Sequence, residues 1–285
     1  MKAMLFIAIF ALISARVYCG GSMEQVNIQE LELTDTEIIN ILYHPWEKVT
    51  VYNSGTGNFL VKEYMNRNNR DYFAEITSSG NTLTIKNGRR PFTPLLNTFN
   101  ARLEIYIPAS YKNAITIRTK EGKVEIPGEF VCSKITVEST GGNISVNAIS
   151  AREANFKTTS GNVSINEADG LVSVQTSSGR VRLNMAGGTT TATTRSGGIT
   201  CTAAGSAENI SLETNSGGIT LNLPRGLEFN LSARTSGTLS TPFPEKLSRR
   251  PEDKHAAEGV IGEAPARTIN LRTKYGEPIR IRWVE

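Results

Sequence analysis

One phrase recurs along the second half of the chain. It reads TKEGKVEI at 119–126, STGGNISV at 139–146, TTSGNVSI at 158–165, TSSGRVRL at 176–183, TRSGGITC at 194–201 and TNSGGITL at 214–221. Looser copies stand at 234–240 (RTSGTLS) and 273–281 (TKYGEPIRI). The shared glycines, Gly122, Gly142, Gly161, Gly179, Gly197, Gly217, Gly237 and Gly276, lie 18–20 residues apart, save for a last gap of 39. A fixed period of this length constrains the fold more than any other feature. A unit so short cannot bury its own apolar face and must stack on its neighbours.

The pattern around each glycine names the secondary structure. Val172 and Val174 stand seven and five residues before Gly179, and Val181 and Leu183 two and four after it. Ile115, Ile117, Val124 and Ile126 stand in the same relation to Gly122. This is the period-two alternation of strands with one buried face. Thr119, Ser139, Thr158, Thr176, Thr194, Thr214 and Thr273 occupy the third position before the glycine. From there to the second position after it is five residues, an odd step that would flip a continuous strand onto its other face. The chain therefore bends at the Ser-Gly pair. Glycine suits such a corner because it tolerates positive φ, and the inward Thr hydroxyl can bond the turn backbone. A second corner is expected where Asn147, Asn166, Asn184 and Asn222 recur, since Asn favours turns. The prediction is an all-β chain. Residues 110–285 form a parallel β-solenoid (β-helix-like) of ~18–20 residues per rung, right-handed by the rule for parallel crossovers.

Residues 22–109 share the strand chemistry without the clear period and are expected to be an irregular β lead-in that caps the open end. The TSSG at 77–80 would begin a degenerate first rung, and residues 26–42 are read as strand. Residues 242–266 interrupt the repeats as a loop insertion. The closing RIRWVE, with Trp283, is expected to pack over the far end.

The first residues have another purpose. Lys2 followed by the apolar run Met4–Ala15 is too short for a membrane-spanning helix and fits a secretory signal peptide over 1–21. The small residues at 19–22 offer cleavage after Cys19 or Gly21. Cys19 is also a candidate for lipidation, although Arg16, Val17 and Tyr18 depart from the small residues that precede a lipid-modified cysteine. Losing Lys2 and Arg16 with the signal lowers the net charge from +4 to +2, which gives no basis for nucleic-acid binding. Cys132 and Cys201, 69 residues apart, would sit three to four rungs from each other. That is roughly 15 Å, too far for a disulfide, so Cys201 reads as core.

Catalytic chemistry is sparse in this sequence. The two histidines, His44 and His255, have no ligand spacing to a second His or Cys. Asp169 is the sole aspartate within the repeats, and Glu125, Glu138, Glu153 and Glu167 share no rung position. Serines in the same corner of every copy read as turn formers, because a nucleophile is singular and carries its own base. No phosphate loop or nucleophile elbow occurs. The chain is read as not an enzyme, with no cofactor and no metal site. The candidate binding residues are Arg180 and Arg182, outward in their copy, and Arg249 and Arg250 in the insertion.

The serial T-x-S-G-x-[IV]-x-[IVL] units resemble the bacterial β-strand-repeat family of adhesin-like proteins, the DUF4097 type of domain of unknown function. So do the phrases VKEYMN, EITSSGNTLTIKNGRRP, ARLEIYIP and TINLRTKYGEPIRI. The resemblance implies an exported or membrane-tethered β-solenoid of the bacterial envelope, with no motif-defined active site to carry over. The leading expectation is a non-enzymatic interaction or scaffold module, periplasmic, surface-bound or secreted, whose partner is an envelope protein or a surface glycan. Membrane contact would come only through an N-terminal tether. The alternative is an extracytoplasmic polysaccharide-acting β-helix enzyme, which would need three or more carboxylates converging in one groove.

Overall fold

The computed structural model describes residues 23–43, 46–55, 57–90, 99–250 and 253–284. The signal segment, Cys19 and His44 lie outside these residues. The described residues are all-β, with two short 3-10 turns and twenty strands among them. In order these are β1 (Glu24–Leu31), β2 (Ile38–Tyr43), β3 (Lys48–Ser54), β4 (Phe59–Met65), β5 (Glu75–Ser79), β6 (Thr82–Lys86) and β7 (Ala101–Pro108). Then come β8 (Ala114–Thr119), β9 (Val124–Ser139), β10 (Ile144–Thr158), β11 (Val163–Thr176), β12 (Val181–Thr194) and β13 (Ile199–Thr214). The last are β14 (Ile219–Pro224), β15 (Phe229–Arg234), β16 (Leu239–Ser240), β17 (Leu247–Arg250), β18 (Asp253–Ile261), β19 (Thr268–Thr273) and β20 (Ile279–Val284).

Strands β9 to β13 stack in parallel, one repeat per layer. Val124, Ile144, Val163, Val181, Ile199 and Ile219 pair in one row, the second position after each glycine. Each of these long strands gives one leg to each of two walls, consistent with a solenoid. The first wall runs β5–β6–β2–β8, through the later legs of β9 to β13, to β19–β15–β18–β17. The second runs β1–β4–β7–β3, through the earlier legs, to β14–β20–β16. Between the walls lies one apolar core built from the alternating positions, Val172, Val174, Val181 and Leu183 among them. Cys201 is fully buried in that core, and both Cys132 and Cys201 are free thiols.

The Ser-Gly corner forms as its chemistry requires. The Gly179 N–H donates to Thr176 Oγ1 at 3.0 Å, and that hydroxyl donates to the Gly161 carbonyl of the layer before at 3.2 Å. Thr158 and Thr194 do the same in their layers. The reason for glycine differs from the expectation. None of the six regular repeat glycines has positive φ. A Cβ on Gly179 would instead stand 1.8 Å from the Gly161 carbonyl oxygen, and one on Gly161 2.0 Å from that of Gly142. Close stacking of corner on corner, not left-handed backbone, excludes a side chain. At the other corner the Asn residues bond one another across layers: Asn166 Nδ2 donates to Asn147 Oδ1 at 3.2 Å, and Asn184 Nδ2 to Asn166 Oδ1 at 2.9 Å.

Three expectations change at the ends. The lead-in is less irregular than its sequence, because β2/β3 and β6/β7 are two further parallel layers of the stack. TSSG at 77–80 is no corner of it: β5 runs into a hairpin turn at Gly80 (φ 56°) and pairs antiparallel with β6. Residues 242–266 are not a loop. They hold the antiparallel β17–β18 hairpin, and β18 pairs with β15. The C-terminal strand β20 lies inside the stack between β14 and β16, not over its end. Trp283 there joins Phe229 and Phe243 in an aromatic cluster with centroids 5.4–6.4 Å apart. Antiparallel strands thus cover most terminal edges, which would otherwise template further pairing.

Candidate functional site

The outer surface of the first wall carries a continuous row. Direct strand pairing aligns Thr77, Thr84, Asn40, Thr116, Thr136, Asn155, Ser173, Thr191, Ser211, Asn270, Ser232, Glu258 and Ser248 across thirteen strands. Strand spacing makes that row roughly 55–60 Å long. Every member except Glu258 is a hydroxyl or an amide, and all those before Glu258 are half-buried or exposed. Asn155 bonds Glu153, and Ser248 bonds the Glu258 carbonyl. Thr84, Thr116, Thr136, Ser173, Thr191, Ser211 and Ser232 give their side-chain hydrogen bonds to no other described residue. At the C-terminal end the wall turns into a trough of about 650 Å³ lined by Asn230, Ser232, Lys246, Ser248, Glu258, Val260 and Thr268.

The arginines singled out by sequence are not gathered together. Arg180 and Arg182 are exposed on β12 in the second wall, where Arg182 pairs with Ser164 and Thr200 and the Arg180 N–H donates to Asn162 Oδ1. No other cation flanks them in the paired positions. Arg249 and Arg250 lie on β17 in the first wall, and their side chains fall outside the described residues. Glu125 bonds Lys48 and Lys123, Glu138 bonds Arg118, and Glu153 bonds Lys134. These are solvent-screened surface ion pairs that add little to stability.

Two clusters escaped the sequence reading. On the outer face of β3, β4 and β7, Tyr52 and Tyr106 stack at 4.8 Å. Lys62 lies over Tyr106 and Arg102 over Tyr64. Such cross-strand aromatic pairs stabilise sheets, and alternation from Val49, Val61 and Leu103 would have placed all three tyrosines outward. The second cluster is buried. Glu63 is fully buried, and Arg90 pairs with both Glu63 (2.5 Å) and Glu47. Tyr43 donates to Glu63 at 2.5 Å, Asn27 at 2.8 Å and the Ala74 N–H at 2.7 Å. Burial pushes the Glu63 carboxyl up, against the pull of its donors, and lowers Arg90. Glu63 stands in phase with Phe59, Val61 and Met65, so its sequence position already signalled an inward charge. The cluster ties five chain segments together.

Carboxylates do converge in one place. A groove of about 260 Å³ is lined by Glu129, Glu167, Asp169, Ser150, Ser206 and Met185. Glu129 and Glu167 both pair with Ala148 from opposite sides, two layers apart, roughly 9–10 Å. All three carboxylates are exposed. Among the described residues no group of three His, Cys, Asp or Glu is placed to hold a metal ion, and no helix is long and apolar enough to cross a membrane.

Comparison with known proteins agrees with this architecture. A family model described as Toastrack DUF4097 matches residues 37–277. The chain is similar to the crystal structure of a proposed adhesin from Bacteroides fragilis, with 15% identity, a TM-score of 0.54, and coverage of 93% of this chain and 99% of that one. It is also similar to a proposed adhesin from Parabacteroides distasonis, with 12% identity, a TM-score of 0.51, and coverage of 93% and 98%. No curated protein matches.

Proposed function

This chain belongs to the Toastrack DUF4097 family, and on that premise we propose that it is a non-enzymatic, exported, adhesin-like interaction module of the bacterial cell envelope. One observation carries the reading: a thirteen-strand wall that presents a continuous polar surface, seven of whose hydroxyls bond no other described residue. Extended repeat stacks serve as binding surfaces in this way. The signal-like first 21 residues support export, and the proteins of like fold are described as adhesins. The partner is an envelope protein or a surface glycan.

Crosslinking in native cells, with fractionation, tests the proposal. A defined envelope partner and recovery outside the cytosol are expected; recovery in the cytosol alone would sink it. A second reading, a polysaccharide-acting enzyme, rests on the groove of Glu129, Glu167 and Asp169. Paired carboxylates at such separations can serve as acid and base. That reading requires glycan cleavage that disappears in Glu167→Gln.

A further inference from the structure

We infer that the hydroxyl–amide row of the first wall is a binding surface for a linear, uncharged glycan lying across the strands. The inference rests on the interaction-module reading and names its partner class.

The same residue types form three rows in this fold, and two of them are spent internally. The inward Thr row closes the Ser-Gly corners, the hydroxyls of Thr158, Thr176 and Thr194 each both accepting from and donating to backbone. The corner Asn row bonds itself from layer to layer. The third row faces water, and from Thr116 through Thr136, Ser173 and Thr191 to Ser211 its Thr and Ser hydroxyls make no bond to another described residue. Burial does not dictate hydroxyls at outward positions, nor does folding require that charge be absent there. Two residues along the same strands stand Arg118, Glu138 and Lys157, whereas the row itself carries no charge from Thr77 to Ser232 and a single carboxylate, Glu258, near its end.

From Thr77 to Ser232 the row offers neutral donors and acceptors repeated once per strand. A polyanion would find no cation in the row, and a protein knob no apolar socket. A chain of neutral sugars offers hydroxyls repeating at close to the strand spacing, and each can give and take one hydrogen bond. The trough at Ser232, Ser248 and Val260 supplies a concave end with an exposed apolar side chain against which a sugar ring can rest.

The test is affinity electrophoresis of the exported chain through gels containing glucomannan, laminarin or dextran, with alginate as the charged comparison. The triple variant Thr136→Lys, Ser173→Lys, Thr191→Lys places long cations in the row at outward positions. Ser145→Lys, Ser164→Lys, Thr200→Lys makes the same change on the second wall. Circular dichroism checks that both keep the wild-type fold. Retardation by at least one neutral glycan is expected, weakened about tenfold or more by the first set, as loss of several neutral hydrogen bonds implies, and unchanged by the second. Binding to alginate alone, binding to none of the probes, or equal loss in both variants overturns the inference. If the glycans fail while crosslinking still captures a defined envelope partner, the glycan assignment falls and the module reading stands. If the protein is recovered only in the cytosol, both fall.

Discussion

Replacing Gly179 by alanine would put a methyl carbon 1.8 Å from the Gly161 oxygen, 2.6 Å from its carbonyl carbon and 2.9 Å from the Thr176 hydroxyl. Ordinary carbon–oxygen contact begins near 3.3 Å, so the two corners must part by about 1.5 Å. Three bonds cross that gap: Thr176 Oγ1 to Gly161 O at 3.2 Å, and the Ser177 and Ser178 N–H groups to Thr159 O at 3.1 and 2.9 Å. Stretched by that much they cease to be hydrogen bonds. At about 1 kcal/mol each they cost about 3 kcal/mol, and residual overpacking adds about 1–3 kcal/mol. The expected loss, about 4–6 kcal/mol, is a large part of the total stability of most domains. Urea unfolding followed by far-ultraviolet circular dichroism measures it. Gly205→Ala, where nothing lies within 4 Å, is the matched control and is expected to stay within about 1 kcal/mol of wild type. Asn separates the two explanations of the glycine, since it tolerates positive φ but carries a Cβ. Close approach predicts that Gly179→Asn is at least as damaging as alanine. An alanine variant as stable as wild type, or an asparagine variant that recovers most of the loss, would refute the reasoning.

Three further outcomes are expected. Arg90→Met strands Glu47 and Glu63 without their cation and should cost about 3–5 kcal/mol. Glu63 is already held above its usual range by burial. An acid raised in the folded state contributes stability at low pH that is lost as pH rises, so the deficit against wild type should be larger at pH 8 than at pH 5 in parallel melts. The opposite slope would count against a buried ion pair. Phe243→Ala opens the aromatic cluster with Phe229 and Trp283 and should cost about 3–5 kcal/mol. Hydrogen exchange should then rise in β16 and β20 while β10 to β12 stay protected. Burial pushes the Cys201 thiol up to about 12 and Cys132 up to about 11, so neither should react with Ellman's reagent at pH 8 until the chain is unfolded. Prompt reaction of Cys201 in the folded protein would contradict its place in the core.

The regular layers were legible because one residue pattern repeats and each repeat obeys the same parity. Thr176, Gly179, Val181 and Leu183 behave as their positions imply, although glycine's role is proximity rather than φ. The ends were not legible, because strand order there is set by pairing between segments distant in sequence: β20 finds β14 and β16, and β2 finds β6 and β8. No local period encodes those choices. The candidate surface was half visible. Reading copies one at a time drew attention to Arg180 and Arg182, the residues that differ. The hydroxyl–amide row emerges only when all the layers are aligned, because no single Thr or Ser in it is unusual. Glu63 and the three outward tyrosines could have been found by carrying the parity test into the lead-in.

The strand order at the two ends also limits how such a protein can change length. At one end the parallel stack starts in its second layer, β2/β3, steps out to β6/β7, and then passes back over β2/β3 to β8 and β9. At the other it steps out to β15/β16 and returns to fill the gap with β19/β20. The β2/β3 and β19/β20 layers are therefore each clamped between layers made from elsewhere in the chain. Duplication of a repeat can lengthen the middle, between β9 and β13, but cannot simply append a turn at either end. The middle layers can form by local zippering, whereas both clamps need contacts of long sequence separation, which close slowly. A ribosome-bound chain lacking its last two strands, β19 and β20, would have an open slot beside β13 and β14, and an added strand of similar alternation could occupy it.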